Sequence, residues 1–188
     1  NGAFWLVDSS FVTSSYYMNS LPAWVQKFNA SGVVSSFFGK TWTRILPDEA
    51  MMDIDDAPYE SNWSTIGRSF PHIIRGEDTA HITKSYYSAM LTSPFGNEVL
   101  AEFAKAAIEG ENLGQNKFPD LLCIGFSSND YVGHSFGPHS REMIEMTAQT
   151  ARMLSDLLNY RDTRIGLKNT TVVLTSDHGV TPIPEYVQ

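Results

Sequence analysis

The sequence predicts an α/β fold, part of a mostly parallel sheet with helices on both faces, and two observations carry that prediction. Leu121-Leu122-Cys123-Ile124-Gly125-Phe126 and Thr171-Val172-Val173-Leu174-Thr175 are uninterrupted, largely apolar runs of strand length, the pattern of strands covered on both faces. Between them lies an amphipathic segment in which Met143, Thr147, Ala151, Leu154 and Leu158 form one stripe at helical spacing. Strand, helix, strand is a βαβ unit, and its crossover is right-handed when the strands are parallel.

The other elements follow in chain order. Phe4 to Val7 and Phe11 to Thr13 are short β-prone runs around Asp8-Ser9-Ser10, which predicts a hairpin. Pro22 stands at the first position of a short helix whose apolar face is Trp24, Val25 and Phe28. From Ile45 to Gly67, six acids (Asp48, Glu49, Asp53, Asp55, Asp56 and Glu60) occur with no base, so a long solvated surface excursion is expected. Asp53, Asp55 and Asp56 offer oxygens to calcium, but the spacing lacks the central glycine and closing glutamate of an EF-hand. Asn97 is the expected cap of a helix carrying Val99, Leu100, Phe103, Ala104, Ala107 and Ile108, ending near Gly110. Ser140 is the expected cap of the βαβ helix, which runs to about Tyr160. The chain is expected to divide into a loop-rich part, 1–118, and a strand–helix–strand unit, 119–188, within one domain.

Composition excludes several function classes. A chain of 188 residues with 42% hydrophobic content can bury a real core, so disorder is not expected. Thirteen basic against 21 acidic residues give a net charge of −8 with no basic stripe, which argues against binding nucleic-acid backbone or anionic membrane. No apolar run is long enough to span a bilayer as a helix. Cys123 is the single cysteine, so neither an intrachain disulfide nor a Cys-rich zinc site can form.

The chemistry concentrates at two places. In open parallel sheets, ligands bind at the carboxyl ends of the strands. The first run leads into Ser127-Ser128-Asn129-Asp130-Tyr131-Val132-Gly133-His134 and the second into Ser176-Asp177-His178-Gly179. If the two runs are neighbours, two Asp/His pairs converge. Carboxylate oxygen and imidazole nitrogen are ligands of zinc. Asp130 and His134 meet on one face if a helical turn begins there. Asp177 and His178 share an ion only where the chain turns out of the strand, which Gly179 permits. Each pair supplies two donors where zinc takes three or four, so further ligands must come from elsewhere. Taken singly, Asp-x-x-x-His is an ordinary helix ion pair and Asp-His-Gly an ordinary turn. Their joint position at two strand mouths favours a metal centre. His139 reads as a polar residue at the start of the helix, and His72 and His81 as structural or exposed. Trp5, Tyr16, Tyr17, Trp24, Phe37, Phe38 and Trp42 are expected mostly in the core, with a substrate cap as the alternative use.

Ser-Asn-Asp-Tyr-Val-Gly-His-Ser-Phe-Gly-Pro (128–138) and Thr-Ser-Asp-His-Gly-Val (175–180) resemble, in order and spacing, two metal-binding motifs of the alkaline phosphatase superfamily, in its type I phosphodiesterase/nucleotide pyrophosphatase branch. The opening stretch, Ala3-Phe4-Trp5 through Val12-Thr13-Ser14-Ser15-Tyr16-Tyr17-Met18 and Leu21-Pro22-x-Trp24-Val25, is similar to the single-chain bacterial alkaline phosphatases within that branch.

The resemblance implies an alkaline phosphatase-like fold with a partial cap region and two zinc ions. Asp130 and His134 would ligate one zinc, Asp177 and His178 the other. It implies hydrolysis of small phosphate esters through a phospho-enzyme, monoesters favoured and nucleotide phosphodiester or pyrophosphate substrates the alternative. The nucleophilic threonine or serine lies upstream in the family; neither Thr13 nor Thr41 has its context. These residues are therefore expected to be an interior piece of a larger catalytic domain, inactive alone. A non-catalytic binding module that keeps the fold is the alternative of another class. The family also implies a periplasmic or secreted location. Open sheet edges and uncovered apolar faces would favour non-native association of the piece.

Overall fold

The chain opens as the predicted hairpin, β1 (Trp5–Val7) against β2 (Ser10–Val12), antiparallel with Leu6 opposite Phe11. Asp8 takes the left-handed conformation at the turn (φ 51°), which aspartate tolerates better than most residues. Helix α1 (Ala23–Ala30) follows Pro22. Its Asn29 side chain accepts the Phe11 N–H at 2.8 Å and donates to the Phe11 carbonyl at 2.9 Å, pinning the hairpin to the helix. This is a computed structural model, and it describes residues 2–51 and 55–186.

Four more helices complete the scaffold: α2 (Lys84–Leu91), α3 (Pro94–Gly110), α4 (Ser128–Phe136) and α5 (Arg141–Arg164). Helix α3 is the hub, packing against all the others. Its Phe103 stacks flat on Phe11 at 3.6 Å between ring centroids and meets Phe28 edge-on at 5.1 Å, so hairpin, α1 and α3 share one aromatic core. Trp42 and Phe37 are buried as expected, while Trp5, Tyr16 and Tyr17 are exposed. Helix α2 has no counterpart in the sequence reading, although its buried Tyr86, Ala89 and Met90 recur at helical spacing.

Two expectations about the helices are corrected. Helix α3 begins at Pro94, whose fixed φ suits the first turn. Asn97 is thus inside the helix, buried, with its amide bonded to other helices rather than capping its own. Ser140 does cap α5, accepting the Met143 N–H at 3.1 Å, but the buried face of α5 is Glu142, Glu145, Met146, Leu157 and Arg161. Thr147 and Ala151 of the expected stripe are exposed. The apolar pattern points to the wrong face because Glu142 and Glu145 have buried polar partners.

The acidic excursion is also not a free loop. It is closed at its neck by β3 (Thr41–Trp42) and β4 (His72–Ile73), antiparallel with Trp42 opposite His72. Between these strands, Ala57, Glu60, Ser64 and Ile66 are buried, and the Glu60 carboxylate accepts the Ala57 N–H at 3.1 Å. At its root, the Ile45 and Leu46 N–H groups donate to Glu145 of α5 at 2.9 and 2.8 Å. The segment is a strap laid on α4 and α5. Asp53 lies outside the described residues.

The two apolar runs keep their order around α5 but do not form the expected parallel ladder. Among the described residues, no backbone–backbone hydrogen bond joins 121–126 or 171–175 to anything. Leu121 is 87% exposed, and Val173 and Leu174 are each 81% exposed. A strand apolar on both faces needs partners on its edges and a layer over each face, and no described element supplies them here. No helix among the described residues is long and apolar enough to cross a membrane.

Candidate metal centre

Helix α4 starts directly after the first apolar run, so Asp130 and His134 fall on one face as the spacing predicts. His134 Nε2 lies 3.4 Å from Asp130 Oδ1. The segment after the second run then rides along the same helix on two glycines. A Cβ at Gly133 would stand 3.0 Å from Val180 Cγ2, and one at Gly137 (φ 89°) would stand 2.8 Å from Ile183 Cδ1. Because that backbone approaches so closely, His178 Nε2 comes within 3.8 Å of Asp130 Oδ1 and 3.7 Å of Asp177 Oδ2. The structure thus brings together all four residues singled out in the sequence.

The cluster is open to solvent, with Asp130 the least exposed of the four and Asp177 the most. The pKa of His178 is raised above the ordinary histidine value, first because its ring Nδ1–H donates to the Gly179 carbonyl at 3.0 Å, then because the Asp177 and Asp130 carboxylates favour the imidazolium. With Nδ1 so occupied, Nε2 is the nitrogen that faces the carboxylates.

The donor set fits a borderline divalent cation in kind, since both pairs combine carboxylate oxygen with imidazole nitrogen. Donors at about 2.05 Å from a tetrahedral ion stand roughly 3.3 Å apart. The Asp130–His134 separation of 3.4 Å matches such an edge, and the two His178 separations are wider. Among the described residues, no group of three or more His, Cys, Asp or Glu is arranged to hold an ion. Each pair brings two donors, as the spacing implies.

Several residues that hold α4 in place were missed in the sequence. Asn97 Nδ2 donates to Asn129 Oδ1 at 2.8 Å and to Thr150 Oγ1 at 3.1 Å, and Thr150 Oγ1 donates to Asn129 Oδ1 at 3.3 Å. This three-helix knot adjoins Asp130. Gly96 of α3 lets Ser128 sit against it, since a Cβ there would fall 2.2 Å from Ser128 Oγ. At the other end of α4, the Ser61 N–H of the strap donates to the Ser135 carbonyl at 2.7 Å, while next to Asp130 the strap's Trp63 meets Tyr131 at 6.3 Å between rings. The sequence signal for the packing of Val180 and Ile183 is the pair Gly133 and Gly137, four residues apart, one on the motif helix and one just past its end. His72 is buried and bonded, and His81 is exposed beside Asp78 at 3.1 Å. His139 sits half-buried in the turn before α5.

Comparison with known proteins places the chain in a family. The type I phosphodiesterase / nucleotide pyrophosphatase family matches residues 2–188. The chain is 39% identical over 193 residues to alkaline phosphatase PhoV of Synechococcus elongatus, covering 100% of this chain and 34% of that protein. It is 34% identical over 185 residues to alkaline phosphatase PafA of Elizabethkingia meningoseptica, covering 95% and 33%. A Myroides odoratus protein named calcium-transporting ATPase is 35% identical over 193 residues. The crystal structure of wild-type PafA superposes with a TM-score of 0.72 at 30% identity, covering 88% of this chain and 32% of that one. The chain accordingly spans about a third of the length of the relatives it matches, and its fold is part of the alkaline phosphatase-like α/β fold. With the family matching all but its first residue, the chain belongs to the type I phosphodiesterase/nucleotide pyrophosphatase family of the alkaline phosphatase superfamily.

Proposed function

We propose that these residues contribute half of each metal site of a zinc-dependent phosphoric-ester hydrolase, acting on small phosphomonoesters. The observation that supports it most is the gathering of two imidazole nitrogens within 3.4 and 3.8 Å of one carboxylate oxygen of Asp130. Asp130 and His134 would hold one zinc, and Asp177 and His178 the other. When bound, such a pair of ions polarises a phosphoryl oxygen and stabilises the attacking and leaving oxygens. Helix α4 aims Asp130 and His134 from one face, and the glycine groove fixes where Asp177 and His178 lie. Gly179 holds the His178 ring by Nδ1, leaving Nε2 to ligate once its proton is released. The nucleophile, a threonine or serine that forms the phospho-enzyme, and the remaining ligands come from outside these residues. Residues 1–118 supply the cap-like part and 119–188 the metal-bearing part, and the family reading extends to a periplasmic or secreted location.

Monoesters are favoured because the relatives PhoV and PafA are named alkaline phosphatases. A diester or pyrophosphate reading rests on the family's own description. The test is hydrolysis of an aryl phosphate and of a bis-aryl phosphate by the full-length protein, before and after chelation and zinc return. Loss and recovery of monoester hydrolysis is expected. A preference for the diester would move the assignment to the second reading, and no zinc-dependent hydrolysis of either would remove both.

A further inference from the structure

We propose that His72 and Glu142 are positioning residues, a buried latch by which the strap sets the end of α4 that carries His134; this rests on the metal-site reading above. His72 Nε2 lies 2.9 Å from Glu142 Oε1, with side-chain exposures of 0% and 1%. His72 Nδ1 stands 3.0 Å from the Ile66 carbonyl, which only accepts, so Nδ1 carries a hydrogen. The ring is enclosed by Phe70 at 4.6 Å, Trp42 at 5.1 Å and Phe136 at 5.6 Å between centroids.

Stability does not account for this pair. Burying two ionisable groups costs about as much as their attraction returns, and well-packed apolar replacements are often as stable. Glu142 makes the balance worse, because its Oε2 is buried with no hydrogen-bond partner among the described residues. What a directional pair provides and an apolar contact does not is a single register. Here the register is between the strap and the α4–α5 corner. Phe136 is the last residue of α4 and Glu142 the second of α5, and His72 touches both. The strap also grips Ser135 through the Ser61 N–H at 2.7 Å. His134 immediately precedes Ser135 and Phe136, so the latch bears on how firmly the last turn of α4, which carries its imidazole, is held. Sites of this kind need their donors held to roughly 0.5 Å.

The test uses the full-length protein loaded with Co2+, whose visible absorption reports ligand geometry at the Asp130 site, with affinity measured by chelator competition. His72→Leu combined with Glu142→Leu is expected to fold with its melting temperature little changed, yet to bind Co2+ several-fold more weakly with an altered spectrum, a smaller effect than the roughly tenfold or more seen when a partner bonded directly to a ligand is lost. Glu142→Asp, which retracts the carboxyl group from His72 without changing its chemistry, is expected to weaken Co2+ binding in the same direction but by less. Glu142→Gln, whose amide can donate to His72 Nε2, is expected to restore the wild-type spectrum. An Asp130-dependent spectrum that Glu142→Asp and the double variant both leave unchanged overturns the latch alone. If Asp130→Ala does not affect Co2+ binding, the metal-site reading falls and takes the latch with it.

Discussion

Removing the Glu145 carboxylate tests how the strap is held. Both oxygens of this buried side chain accept backbone donors, Oε1 from Leu46 at 2.8 Å and Oε2 from Ile45 at 2.9 Å. Glu145→Gln keeps the shape and leaves one acceptor, while its NH2 group faces one of the two N–H donors. The change therefore opens no cavity and loses one charge-assisted hydrogen bond, worth about 2 kcal/mol. At 1.4 kcal/mol per factor of ten, that amounts to roughly 30-fold faster local opening. Amide hydrogen exchange on the full-length protein reads this directly, since local opening and not global unfolding sets protection in a strap. The Ile45 and Leu46 amides should exchange roughly 30-fold faster in Glu145→Gln, and faster still in Glu145→Ala, while amides in the middle of α3 stay unchanged. Unaltered exchange at Ile45 and Leu46 in both variants would refute the claim that α5 holds the strap.

Three further outcomes are expected. Gly96→Ala drives a Cβ to 2.2 Å from Ser128 Oγ and should destabilise by about 1–2 kcal/mol after its gain in helix propensity; because Ser128 Oγ is buried with no hydrogen-bond partner among the described residues, Ser128→Ala should be neutral and should relieve most of the Gly96→Ala cost in a denaturant double-mutant cycle. In metal-free protein, an NMR titration should place His178 above the ordinary histidine value, and Asp177→Asn should lower it; the contacts favour the imidazolium, so they are fully present at low pH and lost as pH rises through the folded value, and a midpoint at or below the ordinary value would contradict the geometry. Residues 1–188 expressed alone should self-associate with concentration through Leu121, Val173 and Leu174, whereas a monomer at all concentrations in light scattering would count against that.

How much was legible depended on the range of the interaction. Asp130 and His134 belong to one helical turn, and Ser140 caps the residues next to it, so spacing alone was enough for both. The hairpin was likewise local, two short runs about one turn. The buried face of α5 was not legible, because Glu142 and Glu145 read as solvent-facing until His72 and the Ile45 and Leu46 amides, about 70 and 100 residues away, are known to meet them. Asn97 failed as a cap for the same reason: its partners Asn129 and Thr150 belong to other helices. The runs 121–126 and 171–175 announce burial on two faces, but apolarity does not name the strands that pair with them. At the site, the pairs could be recognised as metal-like, whereas the groove that joins them needed Val180 and Ile183 placed against Gly133 and Gly137.

The central claim is that two Asp/His pairs each hold one metal ion. Metal analysis of the full-length protein after gel filtration, beside Asp130→Ala and Asp177→Ala, tests it most directly. The proposed function predicts two zinc ions per chain in the unmodified protein and one in each variant. Metal content unchanged in both variants, or no zinc bound in any of the three, would contradict it.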